Sequence, residues 1–143
     1  MTQLYYVKGV KGHFSFKLLL DSGASISIMS SSMVQLLGLK MTKGYHMVHG
    51  VGGQAKILGT INQCKIHIHS TSLIPITVNF SVLHNPLDKH TIILGLDFLE
   101  RYKCIINTHH KTVQLGPHII KVMNTKELIK YKLPINHKLK KII

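Results

Sequence analysis

The chain has 143 residues, enough for one compact domain with its own hydrophobic core. Hydrophobic residues make up 45% of it, which excludes a disordered or fibrous protein, and no apolar run approaches the roughly 18–20 residues that span a bilayer. The net charge is +13, but eight lysines lie in the tail from Lys111 onward and Arg101 is the only arginine, which argues against specific nucleic-acid recognition. No basic leader precedes an apolar segment at the N-terminus, so we expect no signal peptide and a cytoplasmic location, with a nuclear one left open.

Short segments of alternating hydrophobicity, separated by Gly, Asn, Pro and Ser, predict mostly β-strands in the first half of the chain. Two strands are expected around a turn at Lys11 and Gly12, and a third in "SISIMS" after Asp21. "SSMVQLLGL" predicts a helical turn with serine caps that ends at Gly38. "HMVHGVGGQAKILG" alternates around a glycine-rich centre and predicts a hairpin.

The second half continues in the same way. "TINQCKIHIHS" and "IPITVNFSVL" predict two strands, and "TIILGLDFLERYKC" predicts a strand to Leu94, a turn at Gly95 and a short helix from about Asp97. "CIINTHHKTVQL" predicts a further hairpin. We expect one all-β domain, a small barrel or sandwich, over residues 1–120 and a basic extension over residues 121–143 that is ordered up to about Leu133.

Only five carboxylates are present, and four have ordinary interpretations. Asp88 lies in turn-type sequence, Glu100 and Glu127 lie near cations, and Asp97 suits the cap or first turn of a helix. Asp21 differs because it follows three leucines, and a buried carboxylate must be paired, hydrogen-bonded or neutralised. From the residues alone, an Asx-turn that closes a strand and a functional carboxylate remain equally open.

Three segments, in chain order, resemble the signature segments of aspartic proteases. "LLLDSGASISIMS" resembles their active-site segment, an apolar run followed by Asp-Ser/Thr-Gly-Ala/Ser. "TIILGLDFLERYKCIIN" is similar to their second signature, and "HGVGGQAKILG" falls between the two, where the family carries its flap. Over roughly residues 5–116, the chain most resembles the retroviral-protease-like domain of the DNA-damage-inducible ubiquitin-shuttle proteins, with retrotransposon-type proteases next.

The resemblance implies a small closed barrel of the retroviral aspartic protease type with one short helix, acting as an aspartic endopeptidase on an extended peptide without a cofactor. Because the chain holds a single Asp-Ser-Gly, it also implies a homodimer in which Asp21 and its symmetry mate form the catalytic pair; an Asp21–Asp97 pair within one chain is the disfavoured rival. The implied site residues are Asp21 as the catalytic carboxylate, Ser22, Gly23 and Ala24 as loop support, Val48, His49, Gly50, Val51, Gly52, Gly53 and Gln54 as the flap, and Leu94 and Gly95 as the second signature.

Two other functions remain as alternatives: a catalytically silent dimerising module of the same fold, and a basic nucleic-acid-binding barrel. The tail offers either a continuation of the dimer interface or a basic arm for an acidic partner or nucleic acid. His67 and His69 share a strand face, but no third ligand has suitable spacing, so we expect no metal site. Cys64 and Cys104 lie in apolar, strand-like stretches and are interpreted as reduced thiols rather than nucleophiles.

Overall fold

The computed structural model describes the backbone of residues 4–50, 53–84 and 90–140, and the side chains of these residues except 45–50, 53–55, 139 and 140. Short strands dominate this part of the chain. The strands are β1 (Tyr5–Lys11), β2 (Phe14–Leu20), β3 (Ile28–Ser30), β4 (Thr42–Gly50), β5 (Gly53–His69), β6 (Leu73–Leu83), β7 (Ile92–Leu94), β8 (Ile105–Asn107), β9 (Thr112–Leu115), β10 (His118–Lys121) and β11 (Ile135–Asn136). The helices are α1 (Ser31–Leu36), α2 (Leu96–Arg101), α3 (Thr125–Lys130) and α4 (His137–Lys140).

Six strands close into a barrel in the order β1-β2-β7-β3-β6-β5, because β1 pairs with both β2 and β5. Strand β4 forms an antiparallel hairpin with β5, and β8, β9 and β10 form a separate sheet. The predicted all-β closed barrel is confirmed. The helix count differs, since the described residues contain four short helices where one was expected with the fold.

The barrel interior is filled by side chains that alternate along the strands. In β6, every second residue from Ile74 to Val82 is buried, which is the period of a strand with one face on the core. Leu18, Met29 and Leu94 are also fully buried and join β2, β3 and β7 to the same cluster. Burial of each such side chain stabilises the fold by about 1.5–3 kcal/mol, so the core holds in place the strand ends from which the candidate site emerges.

The C-terminal extension packs on the barrel. The Met123 N–H donates to the Tyr6 carbonyl at 2.8 Å, and the side chain of Tyr131, at the end of α3, is only 4% exposed. The expectation of order only to about Leu133 is wrong, since β11 pairs antiparallel with β2 through Ile135 and Ser15. That pairing joins residues about 120 positions apart, so no local pattern in the sequence signals it. The domain boundary near residue 120 stays a prediction.

Helix α3 begins at a capping box that the sequence analysis did not use. The Asn124 side chain accepts from the Glu127 N–H at 2.9 Å, and the Glu127 carboxylate accepts from the Asn124 N–H at 3.2 Å. This reciprocal pair satisfies two backbone donors at the helix start. None of the helices in the described ranges has the length and apolar character needed to cross a membrane.

Replacing Tyr131 with alanine tests whether the extension belongs to the folded unit. We expect Tyr131→Ala to lower the free energy of unfolding by about 3 kcal/mol, because a large aromatic side chain leaves a buried position. Ile129→Ala, on the same helix but 71% exposed, should change it by less than about 0.5 kcal/mol. Urea unfolding followed by circular dichroism measures both, and equal small effects would show that the extension adds nothing to stability.

Candidate active site

The candidate site lies where two neighbouring parallel strands end. Strands β2 and β7 run parallel, with Leu19 opposite Ile93 and Leu20 opposite Leu94. The residues that follow them directly, Asp21 and Gly95, therefore lie at the same edge of the sheet. The Asp21 N–H donates to the Leu94 carbonyl at 3.0 Å, which extends the strand pairing into the loop. Two segments of the chain far apart in sequence are thus joined at Asp21.

Asp21 begins a tight turn. One carboxylate oxygen, Oδ1, accepts from the Gly23 N–H at 2.9 Å, and the Ala24 N–H donates to the Asp21 carbonyl at 3.2 Å. This is the Asx-type geometry that the sequence left open. The hydrogen bond from the Gly23 N–H uses one of the two carboxylate oxygens, so the Asx-turn and a functional role for Asp21 are compatible. The aspartate itself is half-buried, and Ser22 and Gly23 are exposed in the single chain.

The turn after β7 supports this loop from behind. The Leu96 N–H donates to the Ala24 carbonyl at 2.7 Å, and the Asp97 N–H donates to the Ser25 carbonyl at 3.3 Å. A Cβ atom added at Gly95 would lie 2.7 Å from the Ala24 carbonyl oxygen, so any side chain there would displace the loop. Gly95 has φ −89°, which any residue adopts, so the requirement for glycine is steric. Glycine at this position therefore lets the chain after β7 pass close behind the Asp21 loop.

A buried serine links the loop to helix α2, and the sequence analysis missed it. Ser27 is 0% exposed; its hydroxyl accepts from the Gly95 N–H at 3.0 Å and donates to Asp97 Oδ1 at 2.7 Å. The Ser27 N–H donates to Asp97 Oδ2 at 3.1 Å. No signal in the sequence indicated it, because the alternation in "SISIMS" puts the apolar Ile26 and Ile28 on the opposite face from Ser27.

Asp97 lies in the first turn of α2, as predicted, and its carboxylate also binds Ser27 of the loop. Its Oδ1 also accepts from the Phe98 N–H at 2.8 Å. Asp21 and Asp97 therefore have different hydrogen-bond partners, Gly23 for the first and Ser27 with Phe98 for the second. This arrangement gives no support to a catalytic pair within one chain.

The predicted flap coincides with the β4–β5 hairpin. Val48 pairs with Ala55, His49 with Gln54 and Gly50 with Gly53. Val51 and Gly52 lie outside the described residues, as does Asp88. The backbone therefore has the hairpin that the sequence predicted, and its use as a flap stays a prediction.

The other candidate groups form no competing site in the described ranges. No three His, Cys, Asp or Glu side chains converge there in a way that could hold a metal ion. Cys64 and Cys104 are both free thiols, in agreement with their interpretation as reduced cysteines. Burial raises the pKa of Cys64, and it raises the pKa of Cys104 to about 11. Both shifts disfavour the thiolate that a nucleophilic cysteine would need.

Removing the Ser27 hydroxyl tests whether it holds the loop and α2 together. We expect Ser27→Ala to lower the free energy of unfolding by about 2 kcal/mol, because the buried Gly95 N–H loses its acceptor, whereas Asp97 Oδ1 keeps the Phe98 N–H as a donor. Ser25→Ala, in the same loop but exposed, is the matched control and should change it by less than about 0.5 kcal/mol. Chemical unfolding at one fixed protein concentration compares the two, and equal effects would contradict a special role for Ser27.

The raised pKa of Cys104 predicts slow alkylation. A shift from 9.0 to about 11 reduces the thiolate fraction at pH 8 by roughly 100-fold, and the greater nucleophilicity of the more basic thiolate offsets part of this. We expect iodoacetamide to modify Cys104 at least about tenfold more slowly than in the urea-unfolded chain, with the difference shrinking as the pH rises towards 11. Peptide mass spectrometry resolves Cys104 from Cys64. Equal rates in the folded and unfolded protein at pH 8 would contradict the shift.

Comparison with known proteins agrees with this geometry. The family described as "gag-polyprotein putative aspartyl protease" matches residues 8–101 of the chain. The crystal structure of the retroviral protease-like domain of Ddi1 from Leishmania major is similar with a TM-score of 0.69, at 23% sequence identity, over 90% of this chain and 100% of that one. At that identity the likeness shows a common fold.

Relatives of known name match most of the chain but only part of their own length. The chain is 31% identical over 118 residues to DNA damage-inducible protein 1 of Kluyveromyces lactis, covering 81% of this chain and 27% of that protein. It is 32% identical over 120 residues to Protein DDI1 homolog 1 of Homo sapiens, covering 81% and 28%. The chain thus spans less than a third of either relative. On the family match and the fold together, the chain belongs to the retropepsin-like aspartyl proteases of the gag-polyprotein type and resembles the protease-like domain of the Ddi1 proteins.

Proposed function

We propose that the chain is an aspartic endopeptidase that hydrolyses peptide bonds with a water activated by Asp21 and the Asp21 of a second copy. The observation that carries the proposal is the loop of Asp21, which stands at a sheet edge with Leu94 and Gly95 directly behind it. A catalytic carboxylate must be held in a fixed position, and this loop supplies that support through backbone hydrogen bonds. Membership of an aspartyl protease family gives the reaction class.

The chemistry needs two carboxylates that share one proton. Two like charges about 3 Å apart cannot both ionise easily, a property for which aspartic proteases are the type case. The ionised carboxylate acts as general base on the water, and its protonated partner donates a hydrogen bond to the scissile carbonyl.

The second carboxylate comes from an identical subunit across a two-fold axis. The chain has one Asp-Ser-Gly segment, and the other candidate, Asp97, is held by Ser27. Ser22 and Gly23 are exposed in the single chain, which leaves the tip of the loop available for an isologous contact. Ser22, Gly23 and Ala24 orient the carboxylates, and Ala24 keeps the space beside them small.

The β4–β5 hairpin acts as the flap over an extended peptide. Its strands stay paired up to Gly50 and Gly53, so its backbone can offer hydrogen bonds to a substrate in β conformation. Closure of such a hairpin excludes water from the reaction and fixes the register of the peptide. No cofactor takes part. The two free thiols suit a reducing compartment, which supports a cytoplasmic location.

Replacing Asp21 with asparagine tests the proposed chemistry. The variant is incubated with a diverse peptide mixture across pH ~4–7, and fragments are identified by mass spectrometry. We expect cleavage to fall by at least roughly 100-fold while thermal unfolding is preserved, because an asparagine oxygen can still accept from the Gly23 N–H. Glu100→Gln, an exposed carboxylate of α2, is the control and should cleave normally. Cleavage that survives in Asp21→Asn would exclude Asp21 as the catalytic group.

Mixing subunits tests the shared site. Wild type and Asp21→Asn are combined in equal amounts and allowed to exchange at constant total protein. If each site needs an aspartate from both subunits, activity falls to about a quarter of that of wild type alone, since only wild-type homodimers act. Independent subunits would retain about half. Sedimentation of the same samples reports the oligomeric state, and an active monomer would contradict the proposal. A folded dimer without cleavage would favour a silent binding module.

A further inference from the structure

A second concave site lies where the C-terminal extension packs on the barrel. It is a cavity of about 400 Å³ between β1, the β5–β6 turn, the end of β10 and α3. Its lining includes Lys8, Lys121 and Lys130, together with His69, Ser70 and Thr71. Met123 and Tyr131 supply its apolar wall, and Glu127 its only carboxylate. A volume of this size is typical of small-ligand sites.

The lysines around this cavity have no compensating carboxylate partner. No ion pair joins Lys8, Lys121 or Lys130 to an acid among the residues that the structure describes, and Lys8 is half-buried. The Glu127 Oε1 accepts from the Asn124 N–H in the capping box, so Glu127 is directed to the start of α3. Three lysines and one carboxylate give the lining a net positive charge. Lys121 and Lys130 are exposed, so water and salt screen part of their repulsion, and a bound anion would lower it further.

Tyr131 holds two of these ammonium groups in place. The Nζ atoms of Lys8 and Lys130 lie 5.4 Å and 5.6 Å from the centre of its ring, within the range of cation–π contact. Lys130 also lies in the last turn of α3, where the helix dipole favours a cation. That explanation does not extend to Lys8 or Lys121, which lie on strands. Ordering flexible lysines around a shared ring reduces the entropy that a ligand must remove when it binds.

We propose that this cavity binds a small, multiply charged phosphate anion. The lysines that line the cavity lie on three elements, β1, β10 and α3, and Ser70 and Thr71 lie in a fourth segment. A phosphate group presents several oxygens in different directions, so it can meet donors that converge from several sides. Lysine binds such a group as a point charge and needs no bidentate geometry.

An extended nucleic acid fits the same observations less well. Recognition of nucleic acid relies largely on arginine and on aromatic faces on which bases stack. Arg101 is the only arginine of the chain and does not line this cavity, and the side chain of Tyr131 is 4% exposed. The phosphate site is independent of the proposed protease activity, since neither Asp21 nor the hairpin takes part in it.

The test is calorimetric titration of the full chain with inorganic tripolyphosphate. We expect saturable binding that Lys8→Gln and Lys121→Gln each weaken by roughly tenfold, because each removes a charge-assisted hydrogen bond. Lys40→Gln is the matched control: it removes the same charge from an exposed lysine outside the cavity and should change affinity less than about twofold. Among the described residues, the cation–π contacts to the Tyr131 ring come from Lys8 and Lys130, so the Lys121 variant leaves them intact, and thermal unfolding without ligand checks both folds.

Three results would overturn the proposal. Equal weakening by Lys121→Gln and Lys40→Gln would mean that only the overall charge attracts the anion. Citrate that binds as tightly as tripolyphosphate would remove the assignment to phosphate. A single-stranded RNA that binds tightly and is not displaced by tripolyphosphate would instead identify an extended nucleic-acid surface, with a steep dependence on salt. Displacement of a nucleoside triphosphate by tripolyphosphate would support the proposal and show that the phosphates alone are recognised.

Discussion

The candidate site depends on one buried hydroxyl. Ser27 accepts from the backbone of Gly95 and donates to the carboxylate of Asp97, so a single side chain uses both its hydrogen-bonding capacities between two segments. Without this hydroxyl, the loop that carries Asp21 and the start of α2 would keep their backbone contacts and the hydrogen bond from the Ser27 N–H to Asp97 Oδ2. Because Ser27 is inaccessible to water, leaving the Gly95 N–H without an acceptor there is costly. The position of Asp21 therefore depends both on its own hydrogen bonds, to Gly23 and Leu94, and on this network behind the loop.

A second property follows from the distribution of charge. A chain with net charge +13 creates a positive potential over much of its surface, which attracts acidic segments of other molecules at long range. Three of the carboxylates lie at structural junctions of the fold: Asp97 at the loop, Glu127 at a helix start and Asp21 at the sheet edge. The candidate active site and the lysine-lined cavity thus carry opposite charges in different parts of one small fold.

Sequence reasoning predicted the local elements of the candidate site. Apolar runs, glycines and period-two alternation indicated the strand end at Asp21, the turn at Gly95 and the hairpin around Gly50, whereas a functional role for Asp21 was favoured only by the resemblance to aspartic proteases. The partners of Ser27 and the pairing of β11 with Ser15 could not be found in this way, since each depends on residues distant in the chain. The extension was interpreted from its charge, which concealed a capping box at Asn124 and a buried tyrosine. The charge of the extension therefore indicated its exposed face but not the contacts that it buries.

The parallel pairing of β2 and β7 has a consequence for how the protein folds. Parallel neighbours cannot be joined by a tight turn, and here the contact between Ser27 and Gly95 spans 68 positions in sequence. Closing so long a loop costs conformational entropy before the contact adds any stability. Local hairpins such as β1–β2 therefore form on a faster timescale. The support behind Asp21 therefore assembles late, together with the closed barrel. An N-terminal fragment that contains Asp-Ser-Gly but ends before β7 would carry the Asp21 loop without the hydrogen bonds with Leu94, Gly95 and Leu96 that support it.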